Sequence, residues 1–209
     1  MKTSFIRLNT ALKLPDDVER EVIKLSREIG QNNDSFFILD GVQFYPHITI
    51  YSPEYPESNF NKALKIVEGI ANQTKKIELN FLSLESHDGY IGICFETSPE
   101  IKNLHKEVVG KLNLLREGSV RKKYKQGSDY HMDFSRQQLK NIARYGYPDA
   151  MNLYHPHLTI IRLRDDFLAK VITKNLNWKK PQIVIDKLAV YTMGEHGTCR
   201  KLVKEFSLK

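Results

Sequence analysis

The sequence predicts an α+β fold of two lobes built by internal duplication, and three observations predict it. One pentapeptide pattern occurs twice, as Pro46-His47-Ile48-Thr49-Ile50 and Pro156-His157-Leu158-Thr159-Ile160. The copies lie half a chain apart, a spacing that an internal duplication leaves and short-period repeats do not. In both halves, runs with strand alternation interleave with runs of helical period, and each half closes on a long hairpin. At 209 residues the chain can bury a sizeable core, and residues 1–209 are expected to form a single domain.

Phe5 to Leu14 alternates as a strand and stops at Pro15, which with Asp16 and Asp17 opens a helix. Proline suits the first helical turn, and acidic side chains suit the positive end of the dipole. Val18, Val22, Leu25 and Ile29 then recur at helical spacing up to Gly30. Phe36 to Leu39 is a short strand, and Tyr45 to Tyr51 is the first motif strand. Asn59 to Asn72 is an amphipathic helix carrying Phe60, Leu64, Val67 and Ala71 on one face. Ile77–Ser86 and Tyr90–Thr97 form a hairpin closed by His87-Asp88-Gly89, where Asp-Gly is a strong turn signal.

The second half continues in the same manner. Pro99 to Glu117 and Ser135 to Tyr145 read as helices, separated by a polar stretch at 118–133 that can serve as a lid or a linker. The second motif strand comes next within 155–163, then a helix over Asp165–Leu176 and a strand over Gln182–Thr192. The turn Gly194-Glu195-His196-Gly197 leads into a last strand at Cys199–Leu208.

Composition narrows the classes. Hydrophobic residues at 41% and charged residues at 27% are those of a globular chain. A net charge of +7 favours an anionic partner, nucleic acid or a phosphate ester. Cys94 and Cys199, the only cysteines, are too few for a disulfide framework and wrongly spaced for zinc, which points to a reducing, cytoplasmic setting. Neither a secretory signal nor a membrane-spanning run of about 20 apolar residues is expected.

The chemistry resides in the repeated motif. Residues i and i+2 of a strand project from one face, so His47 points with Thr49 and His157 with Thr159, while Ile48, Ile50, Leu158 and Ile160 point to the core. The third His-x-Thr, His196-Gly197-Thr198, falls in a glycine turn where alternation fails, and is read as structural. An imidazole titrates near neutrality and can act as base or acid. In-line cleavage of a phosphodiester needs both, one on each side of phosphorus, and two hydroxyls can bond the non-bridging oxygens. No carboxylate cluster accompanies the motifs, so neither a metal nor another cofactor is expected. By parity Tyr45 and Tyr51 share the face of His47 and can stack on a base or ribose or simply line the groove wall, and Arg7 on the first strand can contact a phosphate or make a surface ion pair. The basic run Arg121-Lys122-Lys123-Tyr124-Lys125 lies between the halves, where an RNA-contacting loop or a solvated linker can sit.

Two His-x-Thr motifs half a chain apart, each on an apolar strand, resemble the 2H phosphoesterase superfamily of 2′-5′ RNA ligase-like proteins. The opening strand Arg7 to Pro15 is similar to the first strand and helix start of that family. Arg144-Tyr145-Gly146-Tyr147-Pro148 leading into the second motif is similar to bacterial branches, one of them associated with phosphonate metabolism. The resemblance implies a pseudo-two-fold, bilobal α+β fold, with two antiparallel-rich sheets flanking a central groove and helices outside. It implies His47 and His157 as the acid–base pair and Thr49 and Thr159 as phosphate binders. The implied partner is RNA or a small nucleotide cyclic phosphate; a monomer without membrane attachment is expected. Asn9 departs from the pattern, since an apolar or aromatic residue is common there. Two alternatives stand beside the phosphodiesterase: a non-catalytic RNA- or nucleotide-binding module, and a phosphonate-pathway enzyme acting on a small cyclic sugar phosphate.

Overall fold

A computed structural model describes residues 4–125 and 134–209. Ten strands are present among them: β1 (Phe5–Lys13), β2 (Ser35–Ile38), β3 (Ile48–Tyr51), β4 (Glu54–Pro56), β5 (Ile77–His87), β6 (Tyr90–Phe95), β7 (His157–Leu163), β8 (Gln182–Ile185), β9 (Lys187–Met193) and β10 (Cys199–Ser207). The helices are α1 (Asp16–Gly30), α2 (Phe60–Ala71), α3 (Pro99–Leu112), α4 (Arg136–Tyr145) and α5 (Asp166–Asn175). Most match the expected spans. The helix expected to run to Glu117 ends at Leu112 and continues as a 3-10 turn over Asn113–Arg116. The strand expected over Gln182–Thr192 breaks at Asp186 into β8 and β9, and β4 has too little length to show a period.

Helix ends obey their local chemistry. Asp165 caps α5 through its side chain, and Ser135 with Gln138 closes a capping box at the start of α4. Along α1 the buried positions Val18, Val22 and Ile29 fall at helical spacing, so one face of the helix enters the core.

The strands run in the order β10-β9-β1-β3-β7-β6-β5-β8, with β2 added to β7 and β4 to β1. The two expected sheets meet edge to edge at β3 and β7, through the pair Ile48↔Leu158, and curl together as a half-barrel. Outward from that seam, β3-β1-β9 on one side mirrors β7-β6-β5 on the other. In chain order, β1-α1-β3-α2-β5 is repeated as β6-α3-β7-α5-β9. The third strand of each repeat therefore crosses to the opposite lobe, and neither half of the sequence builds a lobe alone. The helices share in the exchange: α1 packs on β7 and α3 on β3.

The symmetry extends to single residues. Thr10 pairs with Tyr51 and Ala11 with Thr49, which leaves Ile50 as an extra residue. Ile91 pairs with Ile161 and Gly92 with Thr159, which leaves Ile160 in the same position of the other lobe. Each motif strand thus carries a β-bulge immediately after its threonine, and a bulge of this kind bends the strand and re-aims the residues beyond it. Ile48, Ile50, Leu158 and Ile160 are all fully buried. Their burial fixes the opposite face of the seam as the one left open.

Candidate active site

That open face forms the floor of a cavity of about 500 Å³ lined by His47, Thr49, His157 and Thr159. The antiparallel register that joins Ile48 to Leu158 sets His47 across from Thr159 and Thr49 across from His157. Imidazoles and hydroxyls therefore alternate around one small patch, with facing Cβ atoms about 5 Å apart.

Both rings are held in the same way. The Nδ1–H of His47 donates to the Tyr45 carbonyl at 2.8 Å, and that of His157 donates to the His155 carbonyl at 3.2 Å. A carbonyl can only accept, so Nδ1 carries the proton in each ring and Nε2 is left with its lone pair. Burial pushes the His47 imidazole down to about 4, with the proximity of His157 adding to the effect. Burial also lowers His157, and the neighbouring His155, stacked on it at 5.1 Å, acts in the same direction. Both imidazoles are thus neutral bases in the unliganded protein.

Asn9 is fully buried on β1 and donates through Nδ2 to the Thr49 hydroxyl at 2.8 Å. Arg7, two residues earlier, reaches the same cavity. Its Nη1 donates to the Gly194 carbonyl at 3.1 Å, while its buried Nε and Nη2 have no hydrogen-bond partner among the described residues. Burial, with the like charge of Arg121 second, brings its guanidinium down to about 10. Lys123 is lowered to about 8 by burial and then by Arg121 and Arg7. Like charges gathered in a partly desolvated cavity are relieved by an anion.

Two expected contacts are corrected. Tyr51 is fully buried, and its hydroxyl donates to the Tyr145 carbonyl at 2.6 Å, away from the cavity. The bulge at Ile50 is the reason, because it breaks the alternation on which parity rests. Tyr45 precedes β3 in an isolated bridge to Cys199, and its ring packs on Tyr191 at 5.5 Å instead of lining the cavity. Its contribution is the carbonyl that holds His47.

Other residues arrive from segments without a period. Arg121, Lys123 and Tyr124 form one wall of the cavity, with Arg121 lying over the Tyr124 ring at 4.9 Å. The basic run signalled them, although residues 126–133 of the expected lid or linker lie outside the described residues. His196 also lines the cavity, from a turn where its φ is 55°. Arg162 Nη1 donates to its Nδ1 at 2.8 Å, and Arg162 is itself seated between the rings of Phe36 and Tyr90 at 4.7 and 4.5 Å. The third His-x-Thr is a turn, as its glycine indicates, yet its histidine belongs to the cavity wall. His105 is a satisfied core residue, donating to the Ile50 carbonyl and accepting from the Met151 N–H, each at 2.8 Å. Among the described residues, no group of three or more His, Cys, Asp or Glu side chains is arranged to hold a metal, and no helix is long and apolar enough to cross a membrane.

Comparison with known proteins places the fold. E. coli LigT, solved in complex with 3′-AMP, is similar at 13% identity over 99% of both chains, with a TM-score of 0.52. TT0787 of Thermus thermophilus is similar at 14% identity over 97% of this chain and 98% of its own, with a TM-score of 0.56. A protein solved as a phosphoesterase is similar at 12% identity over 99% of both chains, with a TM-score of 0.56. At these identities the likeness is one of fold. A sequence search of curated proteins gave no match. Residues 54–198 match the family described as Protein of unknown function (DUF1045). With the second motif and the exchanged strands inside that span, the chain belongs to the DUF1045 family and carries the fold of the 2H phosphoesterases.

Proposed function

We propose that the protein is a metal-independent phosphodiesterase acting on 2′,3′-cyclic phosphates or on 2′-5′-linked nucleotides and RNA ends. The observation that carries this reading is the pair of imidazoles at one cavity, each held by a carbonyl on Nδ1 and each alternating with a threonine hydroxyl. The 3′-AMP bound by E. coli LigT on the same fold supports a nucleotide ligand.

In hydrolysis, Nε2 of one histidine removes a proton from water as the water oxygen bonds to phosphorus. The P–O bond to the ribose oxygen breaks on the opposite side, and the second histidine, entering as imidazolium, protonates that oxygen. Thr49 and Thr159 donate to the non-bridging oxygens, and Arg7 with Arg121 supplies positive charge to the dianionic transition state. An anion between the rings raises both imidazole pKa values, and this is how one ring acquires the proton it must deliver.

The test is a product-resolved screen of 2′,3′-cyclic nucleotides, 2′-5′ oligoadenylate and ADP-ribose cyclic phosphate, run in EDTA. Turnover is expected with at least one of them, falling about 10²–10⁴-fold in His47→Ala and in His157→Ala. Full activity in either variant, a strict metal requirement, or retention of every substrate unchanged would overturn the proposal.

A further inference from the structure

Asn9 imposes a cost on the fold that the fold itself does not explain. It is fully buried, and its Oδ1 has no hydrogen-bond partner among the described residues. It lies on β1 opposite Tyr191, beside Ala11, Ala189 and Cys199 of a small apolar cluster. A buried acceptor left unpaired destabilises a protein, and an apolar side chain of similar size at that position would not. What the residue provides is on its other end, where Nδ2 donates to the Thr49 hydroxyl at 2.8 Å.

The orientation of the amide is fixed by its second contact. Cys199 Sγ gives its proton to Met193 Sδ at 3.6 Å, so the sulfur faces Asn9 as an acceptor, and Nδ2 approaches it at 3.5 Å. The N–H end of the amide is therefore the end that meets Thr49. With one lone pair taken by Asn9, the Thr49 hydroxyl cannot turn its own proton that way. Its neighbours on the strand, Ile48 and Ile50, are apolar and face the core, so the remaining direction is the cavity.

The other lobe has no equivalent. The register that pairs Ala11 with Thr49 and Gly92 with Thr159 makes Tyr90 the counterpart of Asn9. The Tyr90 hydroxyl donates to the His196 carbonyl at 3.2 Å instead. Among the described residues no side chain bonds to the Thr159 hydroxyl, which keeps its rotational freedom.

We propose that Asn9 is a positioning residue that aims the Thr49 hydroxyl at the bound phosphate, making the His47–Thr49 half of the site the pre-set half. This rests on the phosphodiesterase reading for its substrate, but it concerns one hydroxyl and can fail separately.

A double-mutant cycle tests it with 2′,3′-cyclic AMP. Asn9→Leu is expected to lower kcat/KM about 10-fold and Thr49→Val about 100-fold, and the double variant should match Thr49→Val alone. Asn9→Asp is expected to be as impaired as Thr49→Val, because a carboxylate accepts and draws the threonine proton inward. Asn9→Leu should melt at or above the wild-type temperature, and Asn9→Ala replaces it in the cycle if the leucine variant is misfolded. An equal loss from Asn9→Leu with and without Thr49, or full activity in Asn9→Asp, would overturn the inference while leaving the phosphodiesterase reading intact. If the wild type turns over no substrate, that reading fails by itself. The coupling is then measured on the affinity for inorganic phosphate, expected to weaken several-fold in Asn9→Leu only where Thr49 is present. Unchanged or additive affinities would overturn it there.

Discussion

At the scale of single residues, the two motif histidines share a tautomer and a direction of pKa shift. Their Nδ1 protons are committed to the carbonyls of Tyr45 and His155, and burial is the largest cause lowering both rings from the ordinary imidazole value. Acid–base catalysis by the pair needs one ring neutral and one protonated, a state most populated between the two titrations. Since His47 stands at about 4 and His157 below its ordinary 6.5, the kcat/KM profile, which reports the free protein, should peak on the acid side of 6.5. The kcat profile reports the complex, where the substrate's phosphate favours imidazolium, and its optimum should lie at higher pH. Measuring both profiles on one substrate checks the pair of claims. A kcat/KM optimum above pH 7 would show that burial does not govern these rings.

At the scale of elements, the seam between β3 and β7 shows what strand parity can and cannot reveal. Parity correctly places His47 with Thr49 and His157 with Thr159, because a period of two holds up to each threonine. It fails at the next residue, where Ile50 and Ile160 form bulges that no residue type marks. Tyr51 is lost from the site for that reason. Arg121 and His196 come from turns, whose placement depends on contacts distant in sequence, and the exchange of β5 and β9 between lobes leaves no local trace. The hairpin between β5 and β6 was legible because its turn chemistry is local. Its Gly89 has a φ of 79° and accepts from the Leu163 N–H at 2.8 Å, locking the turn against the end of β7. A Cβ there would collide with the Leu163 carbonyl oxygen, a backbone atom that cannot swing aside. Gly89→Ala is therefore expected to destabilise the protein by about 2–4 kcal/mol, read as a lowered urea midpoint. A midpoint within error of the wild type would mean that the turn moves freely relative to β7.

At the scale of the whole molecule, the exchange of strands makes each lobe depend on both halves of the chain, and His105 is one of the ties between them. From α3 it donates to the Ile50 carbonyl of β3, accepts from the Met151 N–H, and stacks on Tyr154 at 4.0 Å. Accepting through Nε2 requires a neutral ring, and burial lowers its pKa to about 4 against the ordinary 6.5. As pH falls through 6.5 the unfolded chain takes up a proton that the folded one refuses. Stability is thus full above 6.5 and declines toward 4, the folded value. Between pH 7 and 5 the loss from His105 amounts to about 2 kcal/mol, and His47, lowered for the same reason, adds to the slope. Glutamine can supply an N–H and an acceptor without titrating in this range, so His105→Gln should remove part of the pH dependence while retaining the fold. Urea unfolding at pH 7, 6 and 5 on both proteins measures it. Midpoints that stay level from pH 7 to 5, or decline equally in the variant, would show that this tie between the halves of the chain does not depend on a neutral histidine.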